Sequence, residues 1–112
     1  MSVYNLIVKS IKDGNVNLFS ELLHNDYVMV SNQNNKEISK DNWIKNVSEM
    51  YQSIREGKMS FTENRCLYEN DEILLMHQIA NFPNNTKQAV LVAHFLKEGK
   101  ILKTETGATP IN

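Results

Sequence analysis

From Val3 to Ile11 the apolar residues Val3, Leu6, Ile7 and Ile11 recur at the spacing of one helix face, which predicts an amphipathic helix over residues 2–13. Gly14 is placed to end it, because glycine takes the left-handed backbone that a helix C-terminus asks for. Asn15 can then cap a second helix, whose apolar stripe is Val16, Phe19, Leu22 and Leu23. His24-Asn25-Asp26 breaks that helix, and Tyr27-Val28-Met29-Val30 reads as a short strand. A polar loop is expected from Ser31 to Glu37. Ser39 caps the longest helix, with Trp43, Val47, Met50, Tyr51 and Ile54 along one face and Gly57 as its stop.

After that glycine the pattern changes period. Met59 to Tyr68 reads as a moderately polar strand near a sheet edge. Ile73 to Phe82 and Lys87 to Lys97 are rich in Ile, Leu, Val and Phe, with Pro83-Asn84-Asn85-Thr86 between them as a hairpin turn. Ile101 to Thr109 follows across Lys97-Glu98-Gly99-Lys100. Helices first and a meander last predict an α+β domain, with helices on one face of a curved sheet. The 112 residues suit a single domain, residues 1–112, with its own core.

Composition removes several classes. The net charge of -1, with Lys and Arg scattered among Asp and Glu, offers no patch for nucleic acid. Cys66 is the one cysteine, so neither an intrachain disulfide nor a cysteine-based zinc site can form. Ala89 to Ala93 is the longest apolar run and is far too short to span a bilayer. Lys9, Lys12 and Asp13 interrupt the N-terminal segment, so no secretory leader is read there and a cytoplasmic protein is expected. No phosphate loop, nucleophile elbow or paired-histidine zinc motif is present, and no metal or cofactor is expected.

Two stretches carry a resemblance. Ile11-Lys12-Asp13-Gly14-Asn15 through Leu22-Leu23-His24-Asn25-Asp26-Tyr27-Val28-Met29-Val30 is similar to the opening of the NTF2-like superfamily, and His94-Phe95-Leu96-Lys97-Glu98-Gly99-Lys100-Ile101 to its closing hairpin. That superfamily includes ketosteroid isomerase-like, scytalone dehydratase and SnoaL-like branches. The resemblance implies a cone of helices on a strongly curved, mostly antiparallel sheet, a small apolar ligand in the open end, and pairing of two copies through the sheet.

Carried over residue by residue, the isomerase branch's base falls on Ser31, its oxyanion-binding tyrosine on Ile7 and its protonated aspartate on Ala93. Proton abstraction beside a carbonyl needs a base and a donor for the enolate. Ser31 is no such base unaided, and Ile7 and Ala93 donate nothing, so that chemistry is not expected. Tyr51 alone sits where the branch places a supporting tyrosine. If Ala93 faces the cone, alternation brings Leu91 and Phe95 with it, alongside Met76, Gln78 and Ala80, then Leu102, Thr104 and Thr106. The expected ligand-binding set is therefore Ser31, Trp43, Tyr51, Met76, Gln78, Leu91, Ala93, Phe95, Thr104 and Thr106. The same residues would equally serve to fill the core of a small domain.

His77 and His94 flank the hairpin turn almost symmetrically, which would set them opposite or diagonal on one sheet face, away from the cone. A slip of one residue would turn a histidine inward and make it the best general base in the chain. With Tyr51, these two histidines are the catalytic candidates. His24 is read as a cation at a helix C-terminus. Three functions stay open: a dimeric binder of a small apolar molecule, a SnoaL-like cofactor-independent isomerase, cyclase or dehydratase, and an association module whose cone is filled.

Overall fold

The computed structural model describes residues 2–111. Helix α1 (Val3–Asp13) starts where Ser2 Oγ accepts the Asn5 N–H at 3.0 Å. It ends at Gly14, at φ 61, where the Gly14 and Asn15 N–H groups close on the carbonyls of Ile11 (3.2 Å) and Ser10 (2.9 Å). Asn15 then caps α2 (Val16–Glu21), accepting from Leu18 N–H at 3.1 Å. A Cβ on Gly14 would lie 2.7 Å from Arg55 Cγ, but that side chain is flexible enough to yield. The left-handed backbone is the firmer constraint, at about 1–2 kcal/mol for a residue with a Cβ. Gly14→Ala is accordingly expected to lower unfolding free energy by about 1–2 kcal/mol in a urea titration with an unchanged slope.

Strand β1 (Leu23–Ser31) begins earlier than the sequence suggests. Leu22 caps α2 and Leu23 already pairs with Ile101, so His24-Asn25-Asp26 lies within an irregular strand that regains register at Val28. His24 is therefore no helix cap: its Nδ1 accepts the Asp26 N–H at 3.0 Å. Lysines meet the free carbonyls instead, Lys100 at Glu21 and Lys40 at Leu23. The expected polar loop, Ser31 to Glu37, runs into a strand at its last residue: β2 (Glu37–Ser39) pairs antiparallel to Val28–Val30. Ser39 caps α3 (Lys40–Arg55), which carries Asp41 in its first turn and Arg55 in its last, each at the favourable end of the helix dipole.

Strands β3 (Ser60–Glu69), β4 (Ile73–Asn81), β5 (Lys87–Lys97) and β6 (Lys100–Ile111) complete a six-stranded sheet in the order β2-β1-β6-β5-β4-β3. β1 and β6 run parallel and the other neighbours antiparallel, so the sheet is mixed. β3 does form an edge, as its polar composition suggests. The helices lie on the inner face, where Ile7, Phe19, Leu22, Val47 and Tyr51 pack against Leu23, Tyr27, Met29, Leu74, Met76, Val92 and Ile101. No described helix is long and apolar enough to cross a membrane.

The β4–β5 hairpin decides what faces the helices. Asn81 pairs with Lys87, so Phe82 leaves the ladder and the loop runs from Phe82 to Thr86, closed by Phe82 N–H to Thr86 O at 2.9 Å. A loop of Pro83 to Thr86 alone would have set the opposite phase, because one residue of slip exchanges the two faces of a strand. The inner face is thus built in rows: Leu74, His94 and Thr104; Met76, Val92 and Thr106; Gln78, Val90 and Ala108. Leu91, Ala93 and Phe95 belong to the outer face, contrary to the expectation from the sequence. Leu102 is the extra residue where β6 shifts register against β5, between Leu96↔Ile101 and Phe95↔Lys103, and it stays out of the inner rows.

Candidate functional site

Between helices and sheet lies a cavity of about 280 Å³. α1 and α2 contribute Ile7, Ile11 and Phe19, and α3 contributes Trp43, Val47, Met50 and Tyr51. The sheet side is made by the inner rows, and Met59, Phe61, Phe82 and Gln88 line the half-buried end. No Asp, Glu, Lys or Arg is among the lining residues. A charged ligand would find no counter-charge there, and burying an unpaired ion is costly.

Of the residues expected from sequence, Trp43, Tyr51, Met76, Gln78, Thr104 and Thr106 line this cavity. Leu91, Ala93 and Phe95 do not, because the hairpin phase turns them outward. Ser31 ends β1 beside Thr106, outside the lining, and its Oγ accepts the Gln33 N–H at 3.3 Å. His77 pairs with Leu91 on the outer face whereas His94 pairs with the buried Leu74 on the inner one, so the two imidazoles cannot share a ligand. The apolar run Ala89 to Ala93 carries no alternation, so Val90 and Val92 gave no sign of which face they take. The signal that would have found them was the length of the turn.

Among the polar side chains of the lining, Tyr51, His94 and Gln78 decide what the cavity can bond. Tyr51 Oη lies 2.8 Å from Ser10 Oγ, which gives its single proton to the Ile7 carbonyl at 2.7 Å. Tyr51 must therefore donate to Ser10, and burial pushes its pKa up to about 12. It can accept a hydrogen bond from a ligand but has no proton to offer. His94 Nδ1 shares a proton with Thr104 Oγ1 at 2.7 Å, and burial brings its pKa down to about 4, so the ring is neutral near pH 7. Thr104 also lies beside the hydroxyl of Tyr27, whose pKa is raised by burial, yet among the described residues none completes a hydrogen bond to that hydroxyl. The third group is Gln78, 8 % exposed, whose Oε1 is buried without a partner.

The same architecture occurs in proteins of known structure. An NTF-2 like protein of unknown function from Burkholderia xenovorans superposes with a TM-score of 0.76 at 12% identity, over 96% of this chain and 80% of that one. The fold is NTF2-like. A steroid delta-isomerase from Pseudomonas aeruginosa gives 0.73 at 15% identity, covering 93% of this chain and 74% of its own. IdmH from Streptomyces antibioticus, which carries a provisional polyketide cyclase assignment, gives 0.68 at 13% identity, covering 93% and 87%. No family model and no curated protein matches the chain by sequence. Identities this low establish the NTF2-like fold and leave the cavity's chemistry to its own residues.

Proposed function

We propose that this NTF2-like protein binds a small, largely apolar, uncharged molecule in its cavity, without the chemistry of the ketosteroid isomerases. The observation that carries the reading is the lining itself: apolar walls free of ionic side chains, with polar contact limited to Tyr51, Gln78, Gln88, His94, Thr104 and Thr106. Trp43 is the single tryptophan of the chain and lines the cavity, so its indole N–H resonance is a built-in reporter. Titration with naphthalene should shift that resonance saturably. Absence of any saturable shift up to the solubility limit would contradict the reading.

The outer face supports the pairing of two copies. Leu91 is 53% and Leu67 46% exposed, beside Leu75 and Ala93, an apolar patch of the kind that marks protein contacts. Leu91→Arg should convert a dimer to a monomer in sedimentation velocity at micromolar concentration, with the same circular dichroism spectrum. A wild-type chain that already sediments as a monomer would refute the pairing.

The inward position of His94 favours a second reading, a cofactor-independent acid–base enzyme. With Tyr51 committed to Ser10, His94 would have to carry the proton, and an imidazole held near pKa 4 is a weak base. Deuterium uptake at the α-carbon of 2-tetralone, faster than in buffer and lost in His94→Gln, is the result this reading requires.

A further inference from the structure

Gln78 stands on the third inner row, with Met76 and Ala80 beside it on its own strand and Val90 directly across. No hydrogen bond to its side-chain amide forms among the described residues, and Oε1 is fully enclosed. On its other flank β3 bulges: Thr62 pairs with Ile79 and Arg65 with His77, so Glu63 and Asn64 together oppose Gln78. Glu63 adopts φ 54 to make that bulge. Asn64 Oδ1 is a second buried oxygen without a partner, and no hydrogen bond joins the two amides. Buried polar groups are nearly always paired, because an orphaned one costs stability that an apolar side chain of the same shape would not. Its neighbours Met76, on the next inner row, and Val90, directly across, are apolar, so a methionine or leucine would suit this position.

Resting on the cavity reading above, we propose that Gln78 selects the ligand: the natural occupant is an uncharged apolar molecule bearing a hydroxyl group that meets the Gln78 amide. A hydroxyl both donates and accepts, so it can meet whichever atom of the amide a half-turn about the last side-chain torsion brings to the cavity. A carboxylate or amine would bring a charge that nothing in the lining balances.

The test uses two probes of nearly the same shape, 2-naphthol and 2-methylnaphthalene, with wild type and Gln78→Met. The ratio of the two dissociation constants should move about tenfold against the naphthol in Gln78→Met, the size of one net hydrogen bond. The ligand-free variant should also melt about 4 °C higher, since the orphaned amide is gone. An unchanged ratio with both probes still binding overturns the selection while leaving the cavity reading in place. Equal weakening of both probes with a lowered melting temperature would make Gln78 a structural residue, and also overturns it. Failure of both probes to bind either protein would overturn the cavity reading, and this inference with it.

Discussion

Val90→Trp should weaken 2-methylnaphthalene binding at least about 100-fold, a loss of roughly 2.7 kcal/mol, whereas Ala93→Trp should leave it within about twofold. The two positions lie close together on β5 but face opposite sides of the sheet. Val90 pairs with Gln78 and Ala108 on the inner rows, so an indole there occupies the space a ligand would take. Because the site is a cavity rather than close-packed core, the added ring displaces ligand more than it strains the fold. Ala93 pairs with Leu75 and Glu105 on the outer face, where an indole lies on the far side of the sheet from the cavity. Calorimetric titration of both variants checks the face assignment directly. Equal losses at the two positions would contradict it.

The second large effect is on stability against acid. Burial holds the His94 pKa down from 6.5 to about 4. Above pH 6.5 the ring is neutral in both the folded and the unfolded chain and contributes no pH dependence. Between pH 6.5 and about 4 the unfolded chain takes up a proton that the folded chain refuses, so stability falls as pH drops, and the loss levels off below that window. The full shift corresponds to about 3 kcal/mol. His94→Gln cannot titrate and should lose this part of the slope, so the difference between the two proteins' unfolding free energies should change by about 3 kcal/mol from pH 7 to pH 4. Parallel pH profiles in urea would show that His94 is solvated or protonated in the folded state.

Local chemistry made much of the fold legible. The stripe ending at Gly14, the Asn15 and Ser39 caps and the polar edge strand all follow from neighbours close in sequence. The inner face of β4, with Met76, Gln78 and Ala80, was not legible from that strand alone, because Ile73, Leu75 and Ile79 make its outer face apolar too; the expectation came by alternation from Ala93. What stayed hidden depended on distant partners. Leu23 suits a helical stripe and a strand equally, and pairing with Ile101 far along the chain decides for the strand, leaving Leu22 as the cap of α2. β2 is three polar-flanked residues that form a strand only because β1 offers an open edge. The phase of β5 depended on Phe82 leaving the ladder, which a sequence whose strands end in apolar residues does not announce. That one residue moved His94 into the cavity and Ala93, Leu91 and Phe95 out of it.

The most direct test is a crystal structure with 6-bromo-2-naphthol, read from the anomalous signal of bromine. The expected result is a bromine peak enclosed by Trp43, Met76 and Val92, with the naphthol oxygen at the Gln78 amide. Bromine found only on the outer face, against Leu91 and Leu67, or a cavity closed by its own side chains, would contradict it.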